Sequence, residues 1–288
     1  MQWQKWYNGD TRNGRKSAPV NPKIRKRPFI MQSNQRIRVM TFNMRSNVKG
    51  DDINCFANRA PLVRELFKKE QPDLIGLQEV VDMTYNFLYE TLSDTYELLG
   101  CGRNTECRGE RCMLAVRRDR FEIISFGTFW LSEMPDVPGS MLKNSDQSQN
   151  PRVVCSALLK PAGSERLFRF VNTHLDHIGV KAREKELEIL RSHLPDDSVP
   201  AVLTGDFNAF PDSAVISCFR RTMGTRGWRD ATENLGGTFH DYGRCQPLTK
   251  IDYIFTNCPF ENSRVLTDPV RDGIYCSDHY AVATDLIL

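Results

Sequence analysis

The chain is defined first by what its 288 residues leave out. No run of eighteen or more apolar residues occurs, so no segment has the pattern of a membrane-spanning helix. Met1 to Asp10 are polar and aromatic, without the apolar stretch of a secretory leader, which points to a cytoplasmic chain. The nine cysteines include no CxxC pair. Their one cluster, Cys101, Cys107 and Cys112, lacks the spacing of a structural zinc site. With an odd count and no leader, they read as reduced thiols. No GxSxG turn is present, so acyl transfer by an elbow serine has no carrier. No internal repeat or second domain boundary is visible, and a monomer is expected.

What is present is uneven in charge. Residues 1–38 hold ten Lys or Arg and one acid, Asp10, a net +9. The other 250 residues therefore carry −6 of the overall +3. Pro19, Pro22 and Pro28 interrupt the basic stretch, and no helical apolar period runs through it. Residues 1–36 accordingly read as an unstructured arm able to meet nucleic-acid phosphates or an anionic surface, with a solvated extension or an organelle-targeting peptide as the plain alternatives. The acidic body suits a divalent cation.

From residue 37 onward, apolar runs alternate with amphipathic stretches. Strands are expected over Arg36–Asn43, Pro72–Glu79, Met113–Val116, Phe121–Phe126, Thr128–Leu131, Val153–Lys160, Leu167–His174, Val199–Thr204, Ile251–Thr256 and Tyr280–Leu288. Helices are expected over Ala60–Phe67, with Pro61 in the first turn, and over Met83–Leu92, Lys181–His193 and Ser213–Arg220. Ser132 to Asn150, rich in Ser, Asn, Asp and Gln, reads as a long loop. Hairpins mixed with strand–helix–strand units give an α+β domain, its sheets packed inside helices.

Asn43, Glu79, His174, Asp206, Asp252 and Asp278 all end or follow apolar runs, where loops meet a rigid scaffold. Each alone is a turn former, a cap or a surface charge. Six in the same relative position point to sheet ends converging on one polar site. Four carboxylates gathered there repel one another unless a cation neutralises them, and oxygen donors favour magnesium, manganese or calcium over zinc. His174 and His279, with Asn43 and Asn208, add proton transfer and hydrogen bonding, a set suited to attack on phosphorus.

The segments Thr41-Phe-Asn43, Leu77-Gln-Glu79, Asn172-Thr-His174, Gly205-Asp-Phe-Asn208, Ile251-Asp-Tyr253 and Ser277-Asp-His279 stand in the order of the endonuclease/exonuclease/phosphatase superfamily, which this sequence resembles from Ile37 to Leu288. Phe129 to Pro135, Asn172 to His177 and Gly237 to His240 resemble more narrowly a branch of metal-dependent hydrolases. The resemblance implies a deoxyribonuclease I-like four-layer α/β/β/α sandwich over 37–288. It implies that Glu79 binds Mg2+ (with Mn2+ as a substitute) and that Asn43 and Asp278 lie beside it. Asp206 would orient or deprotonate water, Asn208 would hold a phosphate oxygen, and Asp252 would fix the tautomer of His279. His174 would meet the phosphate or leaving group, supported by Glu110. Arg103, Arg152 and Arg183 are weaker candidates for gripping substrate anions.

The implied activity is hydrolysis of a phosphate ester, leaning to a phosphodiester and a nuclease-like reaction, with a small-molecule phosphatase (sugar, inositol or nucleotide) as the alternative. Val80-Val-Asp82 after Glu79 departs from abasic-site enzymes, which place a lysine there, and weighs against DNA repair. A zinc hydrolase built on His174-Leu-Asp-His177 is a second alternative, but Asn172 stands where a further ligand is required.

Overall fold

Strand β1 (Arg36–Asn43) sets the layering because its successive side chains enter two different cores. Ile37 and Val39 join the apolar cluster between two sheets, whereas Met40 and Phe42 join a second cluster beneath helices α1 (Phe56–Glu70) and α2 (Asp82–Leu92). Strand β2 (Leu74–Val80) divides in the same way, Leu74 facing inward and Ile75 and Leu77 facing the helices. This computed structural model describes residues 35–288, so the basic arm expected over 1–36 lies almost wholly outside the described residues.

The first sheet runs β11-β12-β1-β2-β4-β3, built from β3 (Tyr96–Gly102), β4 (Arg111–Arg117), β11 (Phe260–Leu266) and β12 (Ala281–Ile287) around the central pair. The second runs β5-β6-β7-β8-β10-β9, from β5 (Phe121–Trp130), β6 (Val153–Pro161), β7 (Phe168–His174), β8 (Ala201–Asp206), β9 (Arg229–Asp230) and β10 (Asp252–Thr256). In each sheet one parallel pair, β1–β2 and β7–β8, lies at the centre, and the other pairs are antiparallel. Helices α3 (Val180–His193) and α4 (Ala214–Gly224) cover the outer face of the second sheet over a third cluster that includes Leu187, Leu190, Ile216 and Phe219. The result is the α/β/β/α sandwich expected from the sequence.

Several expectations are corrected in detail. Helix α1 begins four residues early, because buried Phe56 packs edge-on against Phe87 at 5.3 Å, and Pro61 therefore sits in its second turn. The strands expected over Phe121–Phe126 and Thr128–Leu131 are one, β5, which crosses Gly127 with a register shift between Ile123 and Ser125. Strands β3, β9 and β11 were not anticipated. Cys101 and Cys107 form a disulfide rather than two thiols, since the turn after β3 folds back and sets their Cα atoms 5.1 Å apart; seven cysteines remain free. Ser132 to Asn150 is irregular, as expected. Among the described residues, no helix is long and apolar enough to cross a membrane.

A buried polar clamp joins the sheets beneath one end. Gln78 Nε2 donates to Asn172 Oδ1 at 2.7 Å, and Asn172 Nδ2 donates to the carbonyls of Leu77 and Met113 at 2.9 and 3.1 Å. Thr204 donates to the same Asn172 oxygen at 3.0 Å. Gly76 is required there, since a Cβ at that position would stand 2.1 Å from Thr204 Oγ1. Asn172, the residue that spoiled the zinc pattern, is thus a structural tie whose buried donors and acceptor are satisfied.

Candidate active site

Strand register assembles half of the site. His174 pairs with Asp206 across β7–β8, and Asp252 pairs with Asp206 across β8–β10, so the three stand in one row at the end of the second sheet. The first sheet supplies Asn43 and Glu79 at the ends of its central strands, and Asp278 and His279 from the segment leading into β12. Glu79 lies in a bulge, where the β2–β4 register shifts between Leu77 and Val80, and takes φ 57°. Asn208 takes φ 48°. Left-handed backbone at non-glycine residues costs energy and gathers at functional sites.

The contacts converge on Asp206. Asn43 Nδ2 donates to Asp206 Oδ2 and to Glu79 Oε1, both at 3.0 Å. The Nε2 atoms of His174 and His279 approach Asp206 Oδ2 to 3.6 and 3.8 Å, and Asp206 Oδ1 accepts from the Asn208 N–H at 2.9 Å. Asp252 Oδ2 lies 2.9 Å from His279 Nδ1 and accepts from Thr238 at 2.5 Å. Glu79 Oε2 accepts from the Ser46 N–H at 2.9 Å and its hydroxyl at 3.1 Å. Asp278 accepts from Ser277 at 3.1 Å and faces Arg45 Nη1 at 3.4 Å.

The charges are set by this crowding. Burial, then the adjacent Asp252, push Asp206 up to about 7. Burial works against the Glu79 charge, but the His174 ring, the Ser46 N–H and the Asn43 amide hold it at about 2. Burial alone would neutralise His279; Asp252, Asp278 and Asp206 together raise it to about 10, so it is an imidazolium at neutral pH. Asp278 is raised by burial and by Glu79, with His279 and then Arg45 opposing.

Three expected contacts are redistributed. The Asn43 amide nitrogen, which cannot bind a cation, is the atom facing both carboxylates, and its Oδ1 accepts from the Arg45 N–H at 2.9 Å. Asn43 therefore bridges Glu79 and Asp206. Asn208 Nδ2 is engaged by His174 Nε2 and by the Leu175 carbonyl, each at 3.0 Å, so Asn208 orients His174. Glu110, expected to support His174, instead meets Arg103 at 2.7 Å, because the hairpin that carries both turns their side chains together. Arg45, Ser46 and Thr238 were missed as site residues. Only Thr238 had a signal, in the segment Gly237 to His240, whose backbone braces the site through His240 N–H to Asp278 O at 2.9 Å.

The residues fit a hard divalent cation. Glu79, Asp206 and Asp278 present oxygen atoms; Arg45, shared with Asp51, pairs with Asp278, and His279 Nε2 stands 3.8 Å from Asp206 and 4.0 Å from Asp278. Asp206, Asp252 and His279 also place one donor atom each within 4.8 Å of one another. Asp252 and His279 are already bonded to each other there, at 2.9 Å. The zinc alternative loses its geometry: an arginine, Arg152, sits 2.9 Å from His177 Nδ1, and the Asp176 carboxylate is taken up by Ser148, Ile178 and Gly179. A cavity of about 500 Å³ lined by Arg220, Trp228, Arg229 and Phe260 opens at the far end of β10 and contains none of these residues.

Two packed sheets that bring acids, imidazoles and amides to one edge define a hydrolase of phosphate esters. The chain belongs to the Endonuclease/Exonuclease/phosphatase family, whose model matches residues 40–279. Among solved structures it is similar to an endonuclease/exonuclease/phosphatase from Bacteroides vulgatus, at 29% identity over 88% of this chain and 98% of that one, with a TM-score of 0.79. It is similar to a mannosyl-6-phosphatase from Bacteroides thetaiotaomicron, at 29% identity over 88% and 100%, with a TM-score of 0.77. The human Nocturnin catalytic domain shares the fold, at 21% identity over 88% and 94%, with a TM-score of 0.69. A comparison with curated proteins found no match.

Proposed function

We propose that this hydrolase uses magnesium to cleave the phosphate ester of a small organic alcohol by in-line attack of water. The observation carrying the proposal is the Asp206 carboxylate held between the His279–Asp252 pair and the Asn43–Glu79 pair. A cation held by Glu79, Asp278 and Asp206 would polarise the phosphoryl group. Asp206, with a proton affinity near neutrality, orients the attacking water and accepts its proton. The His279 imidazolium, fixed by Asp252 and Thr238, donates from Nε2 to a phosphoryl oxygen as negative charge develops there. His174, oriented by Asn208, stands on the other side of Asp206 to meet the phosphate or the leaving oxygen.

The monoester reading is supported by the likeness to the mannosyl-6-phosphatase and by the acidity of the chain beyond residue 38. A phosphodiester in nucleic acid is the second reading, favoured by the net +9 of residues 1–38. A panel of DNA, RNA, nucleotides, sugar phosphates and inositol phosphates, assayed with the full chain and with a truncation starting at Gln35, separates the two. Nucleic-acid cleavage that loses its salt sensitivity on truncation would replace the monoester reading.

Chelation gives a second test. Dialysis against EDTA is expected to abolish turnover, and magnesium or manganese, but not calcium at equal concentration, should restore it. Magnesium should also raise the midpoint of thermal unfolding, by a stabilisation of about 2.7 kcal/mol at a hundredfold excess over Kd. Full activity in EDTA, or zinc found in stoichiometric amount after purification, would remove the magnesium assignment.

A further inference from the structure

The segment His174-Leu-Asp-His177 is only half used by the site described above. His174 faces Asp206, while Asp176 and His177 enter a separate arrangement directly beside it. The Asp176 carboxylate is fully buried and accepts from the Ser148 N–H at 3.1 Å, Ile178 N–H at 3.0 Å and Gly179 N–H at 2.8 Å, and from the Ser148 hydroxyl. It thereby ties the long loop of residues 132–150 to the start of α3. Arg152, 2% exposed, extends Nε toward Asp176 at 3.6 Å and Nη2 to His177 Nδ1 at 2.9 Å.

That last contact fixes a tautomer. A guanidinium only donates, so His177 Nδ1 must accept, and the ring proton resides on Nε2. Partial burial of the ring, and then the neighbouring Arg152, lower the His177 pKa, so the ring stays neutral. His177 is exposed, and among the described residues no hydrogen bond engages its Nε2. Leu175, two residues before His177, is held against the segment after β8 by Asn208, and Phe210, 56% exposed, follows two residues after Asn208. The segment that directly follows His174 therefore offers one neutral N–H donor, at His177 Nε2.

Two of the arginines near this donor are paired with carboxylates, while the buried Arg183 donates to the Asp176 carbonyl at 2.8 Å. Arg152 is offset by Asp176, and Arg103 by Glu110 at 2.7 Å. The free donor of His177 is a neutral N–H, and an alcohol oxygen needs only such a donor. We propose that His177 is a specificity-determining residue that donates from Nε2 to a hydroxyl oxygen of the leaving alcohol, so that the preferred substrates are phosphates of polyhydroxylated alcohols. Arg152 is its positioning residue. The inference rests on the phosphoesterase reading given above.

The test compares a hexose 6-phosphate with p-nitrophenyl phosphate, whose leaving group has no further hydroxyl, using the full chain with magnesium. In His177→Ala the ratio of kcat/KM for the hexose phosphate over the aryl phosphate should fall about tenfold, mainly through KM of the hexose phosphate. His177→Gln, whose Oε1 can accept from Arg152 while Nε2 donates, should recover the ratio to within about threefold of wild type. An unchanged ratio in the alanine variant, or wild-type turnover of the aryl phosphate with none of the hexose phosphate, overturns the proposal. Absence of magnesium-dependent turnover of both substrates would instead remove the underlying phosphoesterase reading. Where the alanine variant fails to fold, hexose 6-phosphate and ethyl phosphate are compared as competitors of wild-type aryl phosphate turnover. The hexose ester should inhibit at about a tenfold lower concentration, and equal inhibition overturns the inference.

Discussion

Replacing Asp206 by Asn is expected to lower kcat by about 10³-fold, equivalent to about 4 kcal/mol of lost transition-state stabilisation, while leaving the fold intact. The substitution keeps size and shape in a fully packed position, 1% exposed between Asn43 and the two imidazoles. What it removes is the acceptor for the water proton and one negative charge opposite His279. The pH profile separates this role from a merely structural one. A base must be deprotonated to act, so wild-type kcat/KM should rise with pH through the Asp206 titration. Burial and Asp252 place that titration near 7, and a bound dication draws it lower. In Asp206→Asn the acid limb should disappear along with the rate. Retention of activity within tenfold of wild type, with the same acid limb, would assign the base elsewhere, and His279 would be the next group to test.

Much of this site was legible in the sequence because six of its residues, from Asn43 to Asp278, end or follow apolar runs. A strand buried on both faces announces itself as a continuous apolar stretch, and the first polar residue after it marks the sheet end. Glu79, His174 and Asp206 were readable on that rule. What the sequence concealed is of two kinds. Strand β11 is an edge strand, with Glu261, Asn262 and Arg264 along it and a register shift between Glu261 and Arg264, so no period of two survives. Strand β3 places exposed Gly100 and half-buried Glu97 and Leu98 among its buried residues, which blurs the alternation in the same way. The other kind is relational. That Asn43 presents nitrogen rather than oxygen to its carboxylates, or that Glu110 faces Arg103 and not His174, depends on which side chains the two sheets bring together. Composition and spacing carry no record of that.

Arg59→Met should destabilise the protein by about 3–5 kcal/mol, lowering the thermal midpoint by about 10 °C. Nothing in the sequence marks Arg59, which appears as one more charge on an amphipathic helix. In the structure it is wholly buried, and its guanidinium donates to four backbone carbonyls: Asn54 at 2.7 Å, Met44 at 2.8 Å, Cys276 at 2.9 Å and Arg45 at 3.0 Å. Methionine matches the length of the stem but leaves all four oxygens without that donor, each at a desolvation cost of about 1–3 kcal/mol before relaxation. Arg59→Lys should recover only part of the loss, because one ammonium cannot span the carbonyls that a planar fork reaches. The effect should also extend to catalysis. Met44 and Arg45 directly follow Asn43, and Cys276 lies two residues before Asp278, so one side chain holds together the two segments that deliver Asn43 and Asp278 to the site. At a temperature where both forms are folded, Arg59→Lys should therefore need more magnesium for half-maximal activity than wild type, a shift that loss of stability alone would not produce. Unfolding midpoints within about 2 °C of wild type in both variants, a difference equivalent to less than 1 kcal/mol, would show that the carbonyls find other partners and that Arg59 does not hold the site together.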